Sequence, residues 1–302
     1  MSLLVVGDLV TDVVVVPAGP IETGTDTLAS ITYSGGGQAS NTAAWLAHAG
    51  AAVTLVAAVG DDVAGRSLIA ELTAQGVRCA VRAHAGATTG TVVVIATEGE
   101  RTLITDPGAA LLLDPADVTA AIKDADDAVH LHLSGYALLN EGSRAGGLAA
   151  LGAARDRGLT VSVDASSAAP LRRVGAFLDW VRGVDLLLCN ADEAAVLAGP
   201  GSPPAQAEVL AHFARNVVVK LGPDGAIWRG GDGVLRSWAT DRVPVIDPTG
   251  AGDAFAAGLL RAWCSGSSPE AALAAGAASG AEAVTRVGAR PQAGPKTVTP
   301  EA

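Results

Sequence analysis

Short, continuously apolar runs alternate with alanine-rich segments of helical period along most of the chain. The apolar runs predict strands at 3–7, 53–59, 128–133, 159–164, 184–189 and 216–221. The segments between them predict helices near 38–49, 62–75, 144–157, 191–198 and 204–214, with two more at 251–264 and 268–286. Apolar strands separated by helices are typical of a parallel sheet that is covered on both faces. We therefore expect an α/β sandwich that forms a single domain over residues 1–302.

Two segments interrupt this alternation. Residues 12–34 contain the run VVVV, a Pro/Gly-rich turn and the alternating string TDTLASITY, and residues 88–106 contain two β-rich runs around a turn at 98–100. Strands without helices between them predict a small separate sheet. Such a sheet, projecting from an α/β body, is suited to act as a lid over a ligand cleft.

Charge and cysteine content exclude several classes of partner. The formal net charge of −11 at pH 7 gives no general attraction to nucleic acid or to anionic lipid, so we expect neither nucleic acid nor membrane as a partner. Cys79, Cys189 and Cys264 lie far apart without a CxxC pair, which favours a reducing compartment. Asp8 and Asp12 interrupt the apolar N-terminal run, which we interpret as a first strand and not a signal peptide. We expect a cytoplasmic protein.

The strongest chemical signal is the string DPTGAGDAF at residues 247–255, just before an Ala/Leu-rich helix. Small residues at 250–252 let the backbone approach a ligand closely, and a helix start presents unpaired N–H groups. Together they predict an anion hole suited to a transferring phosphoryl group. Asp253 would lie at its mouth, where it could accept a proton from an attacking hydroxyl. The alternative is that Asp253 only caps the helix.

The string at 247–255 resembles the C-terminal signature of the ribokinase (PfkB) family of carbohydrate kinases. GGGQASNTA at 35–43 resembles the family's other signature, a glycine pair followed by an asparagine that opens a helix. Shorter matches follow in the family's order, namely NADE at 190–193, KLGPDG at 220–225 and AVTRVGA at 283–289. The resemblance spans nearly the whole chain. It implies a ribokinase-like three-layer αβα sandwich with a mostly parallel central sheet and a small β-sheet lid, and ATP-dependent phosphoryl transfer to a sugar hydroxyl.

The resemblance also implies roles for individual residues. Asp253 would deprotonate the acceptor hydroxyl, and the anion hole would be formed by the amides of Gly250, Ala251 and Gly252. The sugar would be held by Asp12, Gly36, Gly37, Asn41 and Asp253. Judged from the residues alone, Asp12 could equally be a solvent-facing strand end, and Asn41 a helix-start residue that packs locally.

The later motifs would hold the cofactors, which the resemblance gives as ATP and Mg²⁺. Asn190 and Glu193 would help to hold Mg²⁺ through water. The nucleotide would lie along Asn190, Lys220, Gly222, Gly225, Gly250 and Gly252, with Gly276 and Ser279 at the edge of the adenine site. Without the resemblance, N-x-x-E on a helix indicates a capping box, Lys220 a salt bridge, and Gly276-x-x-x-Gly280 tight helix packing.

One late loop matches a family loop that binds a monovalent cation. Its ligands would be Asp247, Thr249 and the carbonyls of Ala283, Arg286 and Gly288, oxygens that suit K⁺. Family members often pair through their lids, so we also expect a homodimer.

The sequence leaves the acceptor open among ribose, fructose, 2-keto-3-deoxygluconate, other sugars, sugar phosphates and nucleosides. Many ribokinases carry Lys where this chain has Gln38, and an acidic sugar would need a cation, for which Arg101 in the lid turn is the candidate. His130 and His132 alternate along a strand and lack a third metal ligand, so we interpret them as a structural pair or as polar residues near the site. The alternatives to a sugar kinase are a nucleoside kinase of the same fold and a non-catalytic metabolite-binding homologue.

Overall fold

The computed structural model describes residues 2–97 and 100–291, apart from the side chains of residues 100 and 101. Its strands are β1 (Ser2–Val6), β2 (Val10–Pro17), β3 (Ala29–Gly36), β4 (Ala52–Gly60), β5 (Arg78–His84), β6 (Thr89–Thr97), β7 (Glu100–Gly108), β8 (Ala128–Ser134), β9 (Thr160–Asp164), β10 (Val184–Asn190), β11 (Ala214–Lys220), β12 (Ala226–Arg229) and β13 (Leu235–Trp238). Its α-helices are α1 (Gln38–His48), α2 (Val63–Ala74), α3 (Pro115–Asp124), α4 (Tyr136–Leu139), α5 (Glu141–Asp156), α6 (Ala168–Leu171), α7 (Phe177–Trp180), α8 (Ala191–Ala198), α9 (Pro203–Leu210), α10 (Ala251–Cys264) and α11 (Pro269–Val284).

The large sheet has nine strands in the order β13-β12-β11-β10-β9-β8-β1-β4-β5. Every neighbouring pair from β11 to β5 is parallel, and β12 and β13 add an antiparallel edge. The predicted mostly parallel central sheet is therefore confirmed.

The central strands are apolar on both faces because each face meets its own layer of helices. In β1, Leu4 and Val6 pack into the core that also contains residues of α3–α9. Leu3 and Val5 pack into a second core, together with α1, α2, α10 and α11. Since successive strand residues point to opposite faces, this division produces the predicted three-layer sandwich.

The small sheet has four strands in the order β3-β2-β6-β7. They span 10–36 and 89–108, close to the predicted segments 12–34 and 88–106. Tyr33 lies opposite Val13, which lies beside Val93, and Val93 lies opposite Ile104. These side chains share the outer face of the small sheet, and its other face turns towards the body of the protein.

Several elements were not predicted from the sequence, namely β5, α3, the hairpin β12–β13 and the short helices α4, α6 and α7. For α3 the signal was available, because the Asp114 carboxylate caps the N–H groups of Ala116 and Asp117 and a proline follows it. The helix predicted at 204–214 ends at Leu210, where a turn leads into β11. That residues 1–302 form one kinase domain stays a prediction.

Within the described ranges, no helix combines the length and the apolar character needed to cross a membrane. The three cysteines are all unpaired.

Candidate active site

Polar residues gather where adjacent parallel strands end. Asp8 follows β1, and Ser134, Asp164, Asn190 and Lys220 are the last residues of β8, β9, β10 and β11. In open α/β sheets, ligands bind outside the carboxyl ends of the strands, next to the point where the strand order reverses. Here that point is β1, which lies between β8 and β4. The topology therefore creates a candidate site above β1, β8 and β9.

The start of α10 is uncapped and closely packed. Gly250 has a φ of 75°, in the left-handed region, and a Cβ there would collide with the backbone of Ala289. Glycine is required on both counts. No side chain caps the helix at Gly250, so the first-turn amides are available to an anion. The backbone thus has the form that an anion hole needs.

Asp253 lies in this first turn, but it does not cap the helix. Its Oδ2 accepts a hydrogen bond of 2.9 Å from Nδ2 of Asn41, which lies on α1. Burial raises the pKa of Asp253 to about 8; the bond from Asn41 opposes this increase, and the charge of Asp164 adds to it. A carboxylate with a pKa near neutrality is suited to general base catalysis.

The glycine-rich segment before α1 brings Asn41 to this position. The Asp8 carboxylate accepts hydrogen bonds of 2.9 Å and 3.2 Å from the amides of Gln38 and Ala39, and so caps α1. Gly37 adopts a φ of 101° at the helix start. Asn41 follows one turn later and bonds to residues far away in the chain, so the interpretation of a locally packed residue is wrong.

Asp12 is buried, with 7% of its surface exposed, so the solvent-facing alternative is also wrong. Its carboxylate lies against Gly36, where a Cβ would collide with it. Among the described residues it has no hydrogen-bond donor. Burial raises its pKa to about 6, while the nearby charge of Arg290 lowers it and that of Asp8 raises it. A buried acceptor without a donor is suited to ligand hydroxyls.

Arg290 is the main residue that sequence reasoning missed. It is 7% exposed, and its Nε donates to Oδ1 of Asn41 at 3.2 Å. Its other nitrogens donate to Oε1 of Glu71, the carbonyl of Gly36 and Oγ of Ser40. Because Arg290 occupies the amide oxygen of Asn41, the amide nitrogen is directed at Asp253. No sequence pattern marks this arginine, which follows the AVTRVGA string directly.

Lys220 forms the salt bridge that sequence reasoning gave as one alternative. Its Nζ lies 2.6 Å from Oδ2 of Asp164, and it also lies 3.4 Å from the position of a Cβ at Gly252. Gln38 donates to the other Asp164 oxygen at 3.1 Å. Lys220 therefore lies beside the start of α10, where it could also contact a phosphate.

Asn190 and Glu193 form a capping box. The backbone and side-chain amides of Asn190 donate to the two Glu193 oxygens at 2.8 Å, and the Glu193 amide donates back at 2.9 Å. Burial raises the pKa of Glu193 to about 7, and the charge of Asp164 adds to this increase. Each carboxylate oxygen keeps a lone pair, so the pair fits Mg²⁺ chemically. Since the described residues contain no group of three or more His, Cys, Asp or Glu side chains that could hold a metal ion, the other ligands would have to be water or phosphate.

Two cavities flank Asp253. One, the lid cleft, has a volume of about 310 Å³ and lies between the small sheet and the strand ends. Its polar lining comprises Asp8, Asp12, Gln38, Asn41, Thr105, Tyr136, Asn140, Ser166, Thr249 and Asp253. Its apolar lining comprises Val10, Val92, Val94, Leu103, Pro107 and Ala110, with Gly37 and Gly250 completing the wall.

The other cavity, the helix cleft, has a volume of about 410 Å³ and lies over the first turn of α10. Its lining includes Lys220, Gly222, Gly225, Ala251 and Gly252 from the predicted set, with apolar residues such as Val245, Phe255 and Val284. This cleft suits a flat apolar ring with phosphates at the Lys220 end.

Gly276 and Ser279 were assigned to the wrong side of α11. A Cβ at Gly276 would meet Phe255, and Ser279 packs against Gly258 of α10. The helix cleft is instead lined by Ala277, Gly280 and Ala281. The glycine and serine serve close packing of the two helices, which is the alternative reading of the small-residue spacing.

The predicted cation loop is only partly assembled by side-chain contacts. Asp247 accepts hydrogen bonds from Thr249 and from the amide of Gly288 at 3.0 Å. The Ala283 carbonyl accepts the amide of Arg286, whose guanidinium bonds to Glu282. The structure therefore brings Asp247, Thr249 and Gly288 together, and K⁺ binding stays a prediction.

His130 and His132 are buried within the sheet. Both rings bond to Ser162, at 2.7 Å and 2.8 Å, and His130 also bonds to Thr160. Burial lowers their pKa values to about 3 and about 4, so both are neutral at neutral pH. They form a structural pair. The side chain of Arg101 lies outside the described residues.

Comparison with known proteins agrees with this geometry. Residues 1–295 match the sequence model described as pfkB family carbohydrate kinase. A 2-dehydro-3-deoxygluconokinase of Thermoproteus tenax is 34% identical, over 74% of this chain and 71% of its own length. An ATP-dependent ribose-1-phosphate kinase of Halopiger xanaduensis is 32% identical, over 90% of this chain and 87% of its own length. The solved adenosine kinase of Sinorhizobium meliloti superposes with a TM-score of 0.87 at 25% identity, over 97% of this chain and 96% of that one.

Proposed function

This chain belongs to the pfkB family of carbohydrate kinases, and on that premise we propose that it transfers the γ-phosphate of ATP to a hydroxyl of a small sugar, with Asp253 as the catalytic base. The observation that carries this proposal is the Asp253 carboxylate, held by Asn41 at the uncapped start of α10 between the two clefts. A proton acceptor and an anion hole within one helical turn are what phosphoryl transfer to a hydroxyl requires.

In the proposed reaction the acceptor lies in the lid cleft and ATP in the helix cleft. The acceptor oxygen forms a bond to the γ-phosphorus as its proton passes to Asp253, and the bond from that phosphorus to the β-γ bridging oxygen breaks to release ADP. The amides at 250–252 and the ammonium of Lys220 stabilise the negative charge on the transferring group. Asn41 keeps the carboxylate directed at the acceptor.

Asn190 and Glu193 would hold Mg²⁺ at the carboxyl end of β10. Held there, the ion would supply positive charge to offset the negative charge of the phosphates. Asn190 lies opposite Lys220 in the sheet, which supports a common role at the phosphates.

The test is ADP release from ATP and Mg²⁺ against pentoses, hexoses, keto-deoxy sugar acids, sugar phosphates and nucleosides, with Asp253→Asn beside wild type. We expect turnover with at least one acceptor, and a loss of roughly 10²-fold or more in the variant. ATP binding without turnover of any acceptor would favour the non-catalytic metabolite-binding alternative.

A nucleoside kinase is the second candidate, and the structural similarity to an adenosine kinase supports it. The apolar wall of the lid cleft could cover a base, and Tyr136 lies at the cleft. Tyr33, an aromatic residue of the small sheet, is 74% exposed on the outer face and does not line the cleft. Nucleosides in the panel decide between the two candidates.

Three further proposals concern the environment of the enzyme. Asp247, Thr249 and the late loop would bind K⁺, which a comparison of activity in K⁺ and Na⁺ tests. The protein would be cytoplasmic, in keeping with its three unpaired cysteines.

We also propose a homodimer formed through the small sheet. Its outer face exposes Ile31 and Tyr33 on β3 and Ile104 on β7, with Val13 and Val93 between Tyr33 and Ile104, and apolar surfaces of this kind mark interaction sites. Light scattering should give twice the chain mass, and Tyr33→Lys should shift it towards a monomer. A monomeric wild type would exclude this assembly.

A further inference from the structure

The polar wall of the lid cleft is acidic. Asp8, Asp12 and Asp253 all line it, and no Lys, Arg or His side chain does so among the residues that the structure describes. An anionic ligand in this cleft would face three carboxyl groups, with no cation in direct contact among those described residues.

Asp12 shows which partner this wall lacks. It is 93% buried, since only 7% is exposed, and its carboxylate has no donor among the described residues. A carboxylate only accepts hydrogen bonds, so its missing partners are donors such as hydroxyl or amine groups.

Among the described residues, the two cations whose charges act on Asp12 and Asp253 are Arg290 and Lys220, and both are engaged elsewhere. Arg290 lies behind the wall and donates to Glu71, Asn41, Ser40 and the Gly36 carbonyl. Lys220 is paired with Asp164 at 2.6 Å and lines the helix cleft, not the lid cleft. Neither is positioned to neutralise an acceptor.

The apolar part of the lining comes largely from the small sheet, which also contributes Asp12. Val10, Val92, Val94 and Leu103 face the cleft from this sheet, where Val92 lies beside Asp12, and Asp8 and Asp253 lie across the cleft at the body of the protein. A ligand that carries both hydroxyl groups and carbon-bound hydrogens satisfies both the polar and the apolar parts of the lining, whereas a carboxylate or phosphate on the ligand would lie close to the three carboxyl groups.

We propose that the acceptor is an uncharged polyhydroxylated molecule and that the lid cleft discriminates against sugar acids and sugar phosphates; this inference rests on the kinase function proposed above. The Coulomb energy of two like charges about 5 Å apart, at the effective dielectric of a protein surface, corresponds to a discrimination on the order of 100-fold. An anion would also hold the proton on Asp253 more firmly and so impair the base.

The first measurement compares neutral and anionic acceptors with wild type. Ribose, fructose and adenosine are set against ribose 1-phosphate and 2-keto-3-deoxygluconate, with kcat/KM from ADP release. In parallel, binding to Asp253→Asn is measured by calorimetry. We expect kcat/KM for the best neutral acceptor to exceed that for every anionic acceptor about 100-fold. A higher kcat/KM for an anionic acceptor would overturn the inference and leave the kinase function in place.

A matched pair of variants then tests the cause. Leu103 lines the cleft, and its neighbour Ile104 lies on the outer face; they are 60% and 57% exposed, so both positions tolerate a long side chain. Leu103→Arg places a cation in the cleft and should reduce the ratio of kcat/KM for neutral over anionic acceptors at least tenfold. Ile104→Arg adds the same charge on the outer face, and even if it weakens the proposed dimer it should leave the ratio of kcat/KM for neutral and anionic acceptors unchanged. Equal effects from the two variants would contradict the electrostatic explanation.

Arg101 lies two residues before Leu103 in β7, and residues at this spacing lie on the same face of a strand. A third variant, Arg101→Gln, therefore tests whether this arginine supplies a cation to the cleft. If wild type prefers an anionic acceptor and this variant loses that preference, Arg101 supplies the missing cation and the inference is wrong. Failure of the kinase proposal would show differently, as no ADP release with any acceptor. The calorimetric comparison would still test the charge preference. Tighter binding of neutral acceptors supports the inference, whereas binding of anionic acceptors only, or of neither class, overturns it.

Discussion

Replacing Asp253 with asparagine should abolish activity and at the same time stabilise the fold. The pKa of Asp253 rises from 3.8 to about 8 in the folded protein. A group whose pKa is raised by folding favours the folded state at pH below its unfolded pKa, and that contribution is lost as the pH rises towards its folded pKa. At pH 8 the wild-type protein therefore carries a destabilising carboxylate that asparagine lacks.

The size of the effect follows from this shift. A shift of about four pKa units corresponds to an upper limit of about 6 kcal/mol on the free energy of unfolding that the substitution can add. Asp253 is half-buried, and the charges of Lys220 and Asp164 act on it in opposite directions. We therefore expect about a third of this limit, about 2 kcal/mol. For a chain of this length that is about 3 °C in Tm. The Asn side chain keeps an oxygen that can accept from Asn41, so no buried donor is left unpaired.

The assay is urea unfolding of wild type and Asp253→Asn between pH 4 and pH 9. The difference in unfolding free energy should be near zero at pH 4, grow up to about pH 8 and then level off. Asp114→Ala is the control, since Asp114 caps α3 and lines neither cleft, and its loss should cost about 1 kcal/mol while activity is kept. If Asp253→Asn is instead less stable than wild type at pH 8, the carboxylate supports the fold and our account of its pKa is wrong.

Other predictions follow from the same site. With wild type, kcat/KM should fall about tenfold per pH unit below about pH 8, because the base must be deprotonated, and a pH-independent profile would contradict this. Arg290→Lys keeps the charge but cannot contact four partners at once, so we expect kcat to fall roughly 10- to 100-fold with little change in the KM for ATP; an unchanged kcat would show that Asn41 needs no such support. Gly250→Ala should cost about 1–3 kcal/mol in urea unfolding, from the left-handed φ and the collision with Ala289, and a neutral result would refute the close packing there. Lys220→Met should raise the KM for ATP and leave Asp164 unpaired, which nucleotide titration and thermal unfolding would detect together.

Much of the fold could be predicted because its signals are local. The apolar strands of the parallel sheet and the glycine-rich starts of α1 and α10 are each contained in a few consecutive residues. Gly250 is identifiable as a special position since its φ of 75° and its place before a helix both follow from the short string around it. The edge strand β5 was missed because charged residues interrupt its apolar pattern.

The rest of the site depends on contacts that no local pattern contains. The bond from Arg290 to Asn41 joins residues 249 positions apart, and the one from Lys220 to Asp164 joins residues 56 apart. The assignment of Gly276 and Ser279 failed for a different reason. A helix turns about 100° per residue, so the neighbouring Ala277 and Gly280 occupy the cleft wall while the assigned residues face α10.

Arg290 has a consequence for the order in which the protein becomes competent during synthesis. It connects the first glycine-rich segment, α2 and, through Asn41, the proposed base Asp253 on α10. A ribosome-bound chain that already contains both sheets and Asp253 would still lack the group that orients Asn41. Catalytic competence would then arise only after residue 290 has left the exit tunnel, so a partly made chain could bind nucleotide without yet consuming it.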